Sequence, residues 1–116
     1  ETLPPAEVAE VVRRTVFGGA EVVGLLGSGS AFYAPAASIA AMVGAVLSDT
    51  GAVLPSCVLL DGEYGLSGLH LNVPAALGRG GVREVVVWDL DATERTALAE
   101  SAAGVAEMLA SIDLHG

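Results

Sequence analysis

The stretch Ala52–Leu90, AVLPSCVLLDGEYGLSGLHLNVPAALGRGGVREVVVWDL, decides the fold of this chain. Three apolar segments within it are predicted to be strands: Ala52–Leu60, Leu66–Val73 and Val82–Leu90. Only the turns Asp61-Gly62-Glu63-Tyr64-Gly65 and Gly78-Arg79-Gly80-Gly81 separate them. Parallel strands would need crossovers of a dozen residues or more, so these short turns favour an antiparallel meander.

The second of these segments alternates between apolar and polar residues. Leu69, Leu71 and Val73 lie at every other position, with His70 and Asn72 between them. Because neighbouring side chains of a strand point to opposite faces, this predicts one buried and one solvated face. Pro74 is expected to end the strand, since it cannot donate a ladder hydrogen bond.

Upstream of the strands, residues 4–17 are predicted to form a helix that Gly18-Gly19 ends, and 21–26 to be extended. Glu10 and Arg14 are four residues apart and are expected to pair. The apolar face of the first helix is formed by valines at helical spacing: Val8, Val11, Val12 and Val16.

A second helix is predicted from about Phe32 to Ser48, with Pro35 in its first turn. It is apolar nearly all round, which indicates burial on more than one side. The small residues Ala37, Ala41, Gly44 and Ala45 would let another helix approach closely. Two interpretations explain this pattern: the helix contacts a partner, or it is a central helix of the core. The sequence does not decide between them.

The last helix is predicted to start at Asp91, with Glu94 completing a capping box. Its apolar stripe consists of Leu98, Ala102, Val105, Leu109 and Ile112. The order helix, helix, three strands, helix predicts a single α+β domain over 1–116, with helices packed on an antiparallel sheet. No complete nucleotide-binding sheet of alternating strands and helices is expected.

Composition excludes several function classes. The net charge is −9 and all five cations are arginines, so a nucleic-acid partner is not expected. The uncharged stretch 31–47 is too short and too rich in alanine for a membrane span, and no signal peptide opens the chain. A first residue of Glu1 rather than Met indicates a piece of a longer protein. The lone Cys57 permits no internal disulfide, fits a reducing cytoplasm, and is predicted to be a small buried hydrophobe.

No motif for proton transfer or metal binding stands out among the polar residues. His70 is expected on the solvated face of a strand and His115 in a frayed C-terminus, so neither is a candidate catalyst. Asp61 and Glu63 flank Gly62 and are interpreted as turn residues rather than an acid/base pair. No cluster has the spacing of metal ligands.

The loop Gly27-Ser28-Gly29-Ser30 before the second helix suggests a ligand site. A dinucleotide fingerprint needs a third glycine, where this chain has Phe32, and the absence of lysine excludes a Walker loop. Two interpretations stay open: a phosphate cradle, or a tight loop that brings a helix N-terminus near a small ligand.

Two segments of the chain resemble the NAD-dependent malate/lactate dehydrogenase family. The first is Leu26–Ser38, LGSGSAFYAPAAS, which is similar to the family pattern L-G-[ST]-G-S-A-[YF]-Y-A-P-A-A-S. The second runs from Val53-Leu54-Pro55 through Leu60-Asp61-Gly62-Glu63-Tyr64-Gly65 to Gly80-Gly81-Val82, in the family's order and spacing. The resemblance covers nearly the whole chain and implies the C-terminal, substrate-side α+β domain of that family.

The resemblance implies reversible hydride transfer between NAD and a 2-hydroxy acid. It also implies that this chain holds no catalytic residue, because the family's G-x-H-x-D motif and its NAD fingerprint are absent. Neither Arg13 nor Arg14 maps onto the family's substrate arginines. The partner would be an N-terminal Rossmann half, which makes most of the contacts to NAD. The enzyme would be a dimer or a tetramer. A cytoplasmic location is expected.

By resemblance, Ser30 and Ala31 line the substrate pocket and Pro35 forms the wall near the nicotinamide. The small Ala31 favours malate and oxaloacetate over lactate and pyruvate, because lactate-type members usually carry a bulkier threonine there. The alternative from another class is a stand-alone oligomerisation or small-ligand-binding domain of the same fold. A membrane-associated protein is a third reading, which the 31–47 stretch alone supports.

Overall fold

The computed structural model of the chain describes residues 3–112, so His115 lies outside the described residues. Its elements are α1 (Pro5–Leu26), α2 (Tyr33–Leu47), β1 (Ala52–Asp61), a 3-10 turn (Glu63–Gly65), β2 (Ser67–Gly78), β3 (Gly81–Val85) and α3 (Ala92–Ser111). This order confirms the α+β class. Backbone contacts divide the chain into two compact units, Glu1–Ala41 and Met42–Gly116.

In the first unit, α1 continues through Gly18 and Gly19, so the predicted stop and the predicted extended segment 21–26 are both wrong. A glycine pair lowers helix stability but leaves the backbone hydrogen bonds intact, so the helical turns on either side keep α1 continuous. The helix ends at Gly27, whose φ of 71° is left-handed and whose N–H donates to the Val23 carbonyl at 3.2 Å.

The ion pair of α1 differs from the predicted one. Glu10 pairs with Arg13, three residues on, rather than with Arg14. The Arg13 Nε and Nη2 atoms donate to the two carboxylate oxygens at 2.9 and 2.8 Å, and this fork-to-fork geometry favours the nearer arginine. The arginine holds the pKa of Glu10 below its usual value.

The sheet is the predicted meander, with strand order β1-β2-β3 and both pairs antiparallel. However, β2 does not stop at Pro74. Pro74 lies opposite Pro55 of β1, and neither proline has an N–H to donate. In antiparallel pairs every second position exchanges no hydrogen bonds, so two prolines facing each other leave the β1–β2 ladder unbroken.

Pro74 instead limits β3, which ends at Val85 and not at the predicted Leu90. The Val86 N–H donates to the Pro74 carbonyl at 2.8 Å, but Pro74 has no N–H to return to the Val86 carbonyl. The Tyr64 hydroxyl donates to that carbonyl at 3.2 Å. A side chain thus replaces the missing backbone donor, and the ladder stops there.

The core lies in the second unit, on one face of the sheet. Its members are Ala45, Val58, Leu60, Leu71, Val73, Ala75, Leu77 and Ala102. His70 and Asn72 are exposed on the other face, as the alternation predicted. Cys57 is exposed as well, so its prediction as a buried residue is wrong. It lies between the buried Ser56 and Val58, and strand geometry turns it outward whatever its hydrophobicity.

Helix α2 matches the predicted span to within one residue at each end, but the chain does not enclose it. Ala45 is its one buried residue, and Met42 and Val46 pack against the core. Ile39 and Leu47 are 61% and 71% exposed. Of the two interpretations of this apolar helix, that of a central core helix is therefore wrong for the described chain. No helix among residues 3–112 is both long enough and apolar enough to cross a membrane.

Helix α3 begins with the predicted capping box. The Asp91 carboxylate accepts from the Glu94 N–H at 2.9 Å, and the Glu94 carboxylate accepts from the Asp91 N–H at 2.9 Å. The predicted stripe is correct in its first half, where Ala102 is buried. It is wrong at its end, because Ile112 follows the last helical residue and is 50% exposed.

Asp49 connects the end of α2 to the β2–β3 turn. Its carboxylate accepts from the Arg79 N–H and from Arg83 Nη2, both at 2.6 Å. The Arg83 side chain crosses directly over Gly78, where any Cβ atom would overlap the guanidinium. Asp49 itself has a φ of 56°, a conformation in which Asp is enriched among non-glycine residues.

Candidate functional site

The loop between α1 and α2 places the three predicted site residues within one short segment. Gly27 and Gly29, with φ of 71° and 86°, adopt left-handed conformations that let the chain turn sharply. Ser30 and Ala31 follow, and Phe32 is the last residue before α2. Pro35 lies in the first turn of α2, where its missing N–H costs no helical hydrogen bond.

The start of α2 is polar through its backbone alone. The Phe32 carbonyl accepts the first helical bond, from the Ala36 N–H at 2.9 Å. The N–H groups of the first turn have no partners within a helix, and they carry the positive end of the helix dipole. No acidic residue lies in that turn, and residues 22–48 carry no charged side chain. This segment therefore offers a ligand backbone N–H groups, hydroxyl groups and apolar surface, but no charged side chain.

The side chains of the loop are open on one side. Ser30 and Pro35 are exposed and Ala31 is partly buried. Phe32, in the place of a third glycine, is 58% exposed and stacks on Tyr33 with ring centroids 4.4 Å apart. These exposed side chains leave the loop accessible to a ligand or to another part of a protein.

The remaining polar candidates do not assemble a catalytic group. His70 lies on the exposed face of the sheet, opposite Leu59. The Glu63 carboxylate accepts from the Asp61 N–H at 2.6 Å, and this hydrogen bond lowers the pKa of Glu63. The pair therefore acts as a turn, as predicted. Among residues 3–112, no group of three or more His, Cys, Asp and Glu side chains could hold a metal ion.

A hollow of about 500 Å³ in the second unit was not foreseen from the sequence. Its lining residues come from the 3-10 turn, the segment after β3 and the start of α3: Tyr64, Leu66, Val87, Trp88, Asp89, Leu90, Arg95, Leu98 and Ala99. The only tryptophan of the sequence, Trp88, could have indicated this hollow, but it lies in a segment predicted to be a strand.

Comparison with known proteins gives the family. The family model of the lactate/malate dehydrogenase alpha/beta C-terminal domain matches residues 2–114. A malate dehydrogenase of Dehalococcoides mccartyi is 46% identical over 114 residues, which are 98% of this chain and 37% of that protein. A malate dehydrogenase of Bacillus thuringiensis is 48% identical over 110 residues, which are 94% of this chain and 35% of that protein.

Solved structures agree with the sequence comparison. The malate dehydrogenase of Salinibacter ruber superposes with a TM-score of 0.86 at 46% identity, covering 92% of this chain and 35% of that one. The lactate dehydrogenase of Cryptosporidium parvum superposes with a TM-score of 0.91 at 32% identity, covering 96% and 37%. This chain spans little more than a third of the length of the relatives it matches.

The match along nearly the whole chain and the shared meander between helices lead to one assignment. The chain belongs to the lactate/malate dehydrogenase family, of which it is the alpha/beta C-terminal domain.

Proposed function

We propose that this chain supplies the C-terminal, substrate-side part of an NAD-dependent malate dehydrogenase, which interconverts malate and oxaloacetate. The observation that carries the proposal is the extent of the match to proteins named malate dehydrogenase. It reaches 98% of the chain and includes the loop and helix start at 26–38. No catalytic residue is assigned to the chain.

The role of the chain in that reaction is to form a wall. Ser30 and Ala31 face the substrate, and Pro35 limits the space beside the nicotinamide. An apolar, uncharged wall removes water from the site, and charges held elsewhere in the enzyme then act more strongly on the substrate. When bound there, NAD would supply the hydride acceptor for oxidation of the hydroxyl-bearing carbon.

The residues present fit a nicotinamide better than a pyrophosphate. Pro35 offers a rigid, exposed apolar surface to a flat ring. By contrast, residues 22–48 contain no arginine or lysine to pair with phosphates. NAD would therefore be held mainly by an N-terminal Rossmann half.

The size of the side chain at position 31 supports malate over lactate as the substrate. A methyl group leaves room for the second carboxylate of a dicarboxylic acid. Lactate and pyruvate form the second candidate pair, because the lactate dehydrogenase of Cryptosporidium parvum shares the fold closely. Oxaloacetate and pyruvate therefore have to be compared directly.

The proposal includes a homo-oligomer, a dimer or a tetramer, that works in the cytoplasm. What supports the oligomer is the exposed apolar surface of α2. A surface with side chains such as Ile39, Val43 and Leu47 at 48–71% exposure is costly in water and typical of an interface.

The test is an NADH oxidation assay on two samples, the longer enzyme and the 116-residue chain alone. The longer enzyme should turn over oxaloacetate with a higher kcat/KM than pyruvate. The chain alone should show no turnover with either. Turnover by the chain alone that a His70→Ala substitution abolishes would contradict the assignment of catalysis to the rest of the enzyme.

A further inference from the structure

The hollow of about 500 Å³ in the second unit has a mostly apolar lining and only a few polar groups. Sites for small molecules commonly have this character, with volumes of roughly 300–1,000 Å³ and a small number of placed polar groups. Leu66 and Leu98 are partly buried lining residues, whereas Trp88 is 59% exposed. The apolar part of the lining therefore suits a ligand with a large apolar body.

Two opposite charges line the same hollow without neutralising each other. Asp89 and Arg95 are both exposed lining residues. Among residues 3–112, neither side chain takes part in a salt bridge, with the other or with any third residue. The hollow thus offers one free carboxylate and one free guanidinium beside an apolar surface.

The backbone around the hollow is held in place by hydrogen bonds of the chain itself. The Tyr64 hydroxyl donates to the Val86 carbonyl at 3.2 Å and accepts from the Trp88 N–H at 3.1 Å. The capping box at Asp91 fixes the first turn of α3, which carries Arg95. A site with walls fixed in this way loses less conformational freedom when a ligand binds.

From these observations we infer that the hollow binds a free α-amino acid with a large apolar side chain. The carboxylate of the amino acid pairs with the Arg95 guanidinium, and its ammonium group pairs with the Asp89 carboxylate. Its side chain lies on the apolar lining beside Trp88. The two charges select a zwitterion, because a simple anion would be opposed by Asp89 and a simple cation by Arg95.

This inference goes beyond the proposed function and requires no particular reaction. The lining residues of the hollow all belong to the second unit, whereas the loop proposed to face the substrate belongs to the first. Amino-acid binding can therefore succeed or fail in an experiment whatever the protein does with oxaloacetate.

Titration calorimetry on the longer protein, with L-phenylalanine as the probe, tests the inference. Two analogues each lack one charged end: hydrocinnamate has no ammonium group, and phenethylamine has no carboxylate. L-phenylalanine should bind once per chain, and each analogue should bind at least about tenfold more weakly, because it loses one charge-assisted hydrogen-bonding partner.

Substitutions in the longer protein then assign each end of the ligand. Arg95→Gln should abolish the preference for L-phenylalanine over phenethylamine, and Asp89→Asn should abolish the preference over hydrocinnamate. Arg14→Gln and Glu100→Gln, at exposed positions outside the hollow, are the matched controls and should keep both preferences. A melting curve of each variant checks that it is folded.

Three results would overturn the inference. The longer protein does not bind L-phenylalanine, which is the result expected if another part of the protein or a second copy fills the hollow. All three probes bind equally, which indicates an apolar site that does not recognise a zwitterion. Or binding is unchanged in both Arg95→Gln and Asp89→Asn, which places the amino acid elsewhere. A protein that binds L-phenylalanine as expected but is inactive with oxaloacetate and pyruvate would contradict the proposed function alone.

Discussion

In the proposed enzyme, the small methyl side chain of Ala31 is expected to favour a dicarboxylic substrate. An Ala31→Trp substitution in the longer enzyme should fill the pocket and lower kcat/KM for oxaloacetate on the order of a hundredfold. The fold should persist, since Ala31 lies in a loop and is only partly buried. Steady-state kinetics with a melting curve checks this, with Ala103→Trp on the exposed side of α3 as the matched control. Unchanged kinetics in the Ala31→Trp variant would remove position 31 from the pocket.

Asp49 is a second place where one side chain decides a local structure. Hydrogen bonds from the Arg79 N–H and the Arg83 guanidinium hold the pKa of Asp49 below its ordinary value of 3.8. A carboxylate whose pKa is lower in the folded state than in the unfolded state stabilises the fold at pH values above its unfolded-state pKa. That stabilisation is lost as the pH falls through the folded-state pKa.

Asp49→Asn should therefore lower the urea midpoint of unfolding at pH 7, and the difference from wild type should shrink as the pH falls below 3.8. Asparagine keeps the shape and tolerates the positive φ, so the charge alone is tested. Glu100→Gln, on an exposed position of α3, provides the control. A difference that is the same at every pH would rule out the carboxylate as its cause.

At the scale of elements, the uninterrupted α1 makes a prediction about its glycines. A Cβ atom at Gly18 or Gly19 would meet nothing within 4 Å. Gly18→Ala should therefore stabilise the chain by about 0.5–1 kcal/mol, through lower entropy of the unfolded state and higher helix propensity. Gly27→Ala should destabilise it, because Gly27 has a φ of 71°. Denaturant melts that gave both substitutions the same sign would contradict the placement of the helix end.

The junction between β3 and α3 depends on the Tyr64 hydroxyl. Tyr64→Phe leaves the Val86 carbonyl and the Trp88 N–H without their partner, and should cost about 1 kcal/mol of unfolding free energy. Tyr33→Phe is the matched control, since Tyr33 is 79% exposed. Equal effects of the two substitutions would show that the hydroxyl does not hold the segment. Emission of the single tryptophan, Trp88, reports on the same region.

For the whole molecule the dominant feature is charge. The net charge is −9 over 116 residues, and among the described residues only two salt bridges pair a carboxylate with an arginine. Mutual repulsion of surface carboxylates therefore opposes the compact state, and salt screens it over a Debye length of about 10 Å at 0.1 M. The urea midpoint should rise between 0.02 and 0.5 M NaCl, conditions of roughly 20 and 4 Å screening length. A flat dependence would show that the repulsion is too weak to matter.

Several features of this protein followed from the sequence by itself. Short turns between apolar segments required a meander, and the pair Asp91 and Glu94 fixed the start of α3. The motif Leu26–Ser38 and the run from Val53 to Val82 led to the family. Each of these is determined within a few neighbouring residues, where local geometry leaves few choices.

Only the tertiary structure decided the rest. Pro74 is a strand breaker by propensity, but the β1–β2 ladder continues past it because Pro55 of β1 lies opposite. The end of β3 depended on Pro74, which has no N–H for the Val86 carbonyl, and on the Tyr64 hydroxyl, which donates to that carbonyl from 22 residues away. Hydrogen bonds between distant residues are set by how the elements pack, and no local pattern contains that information.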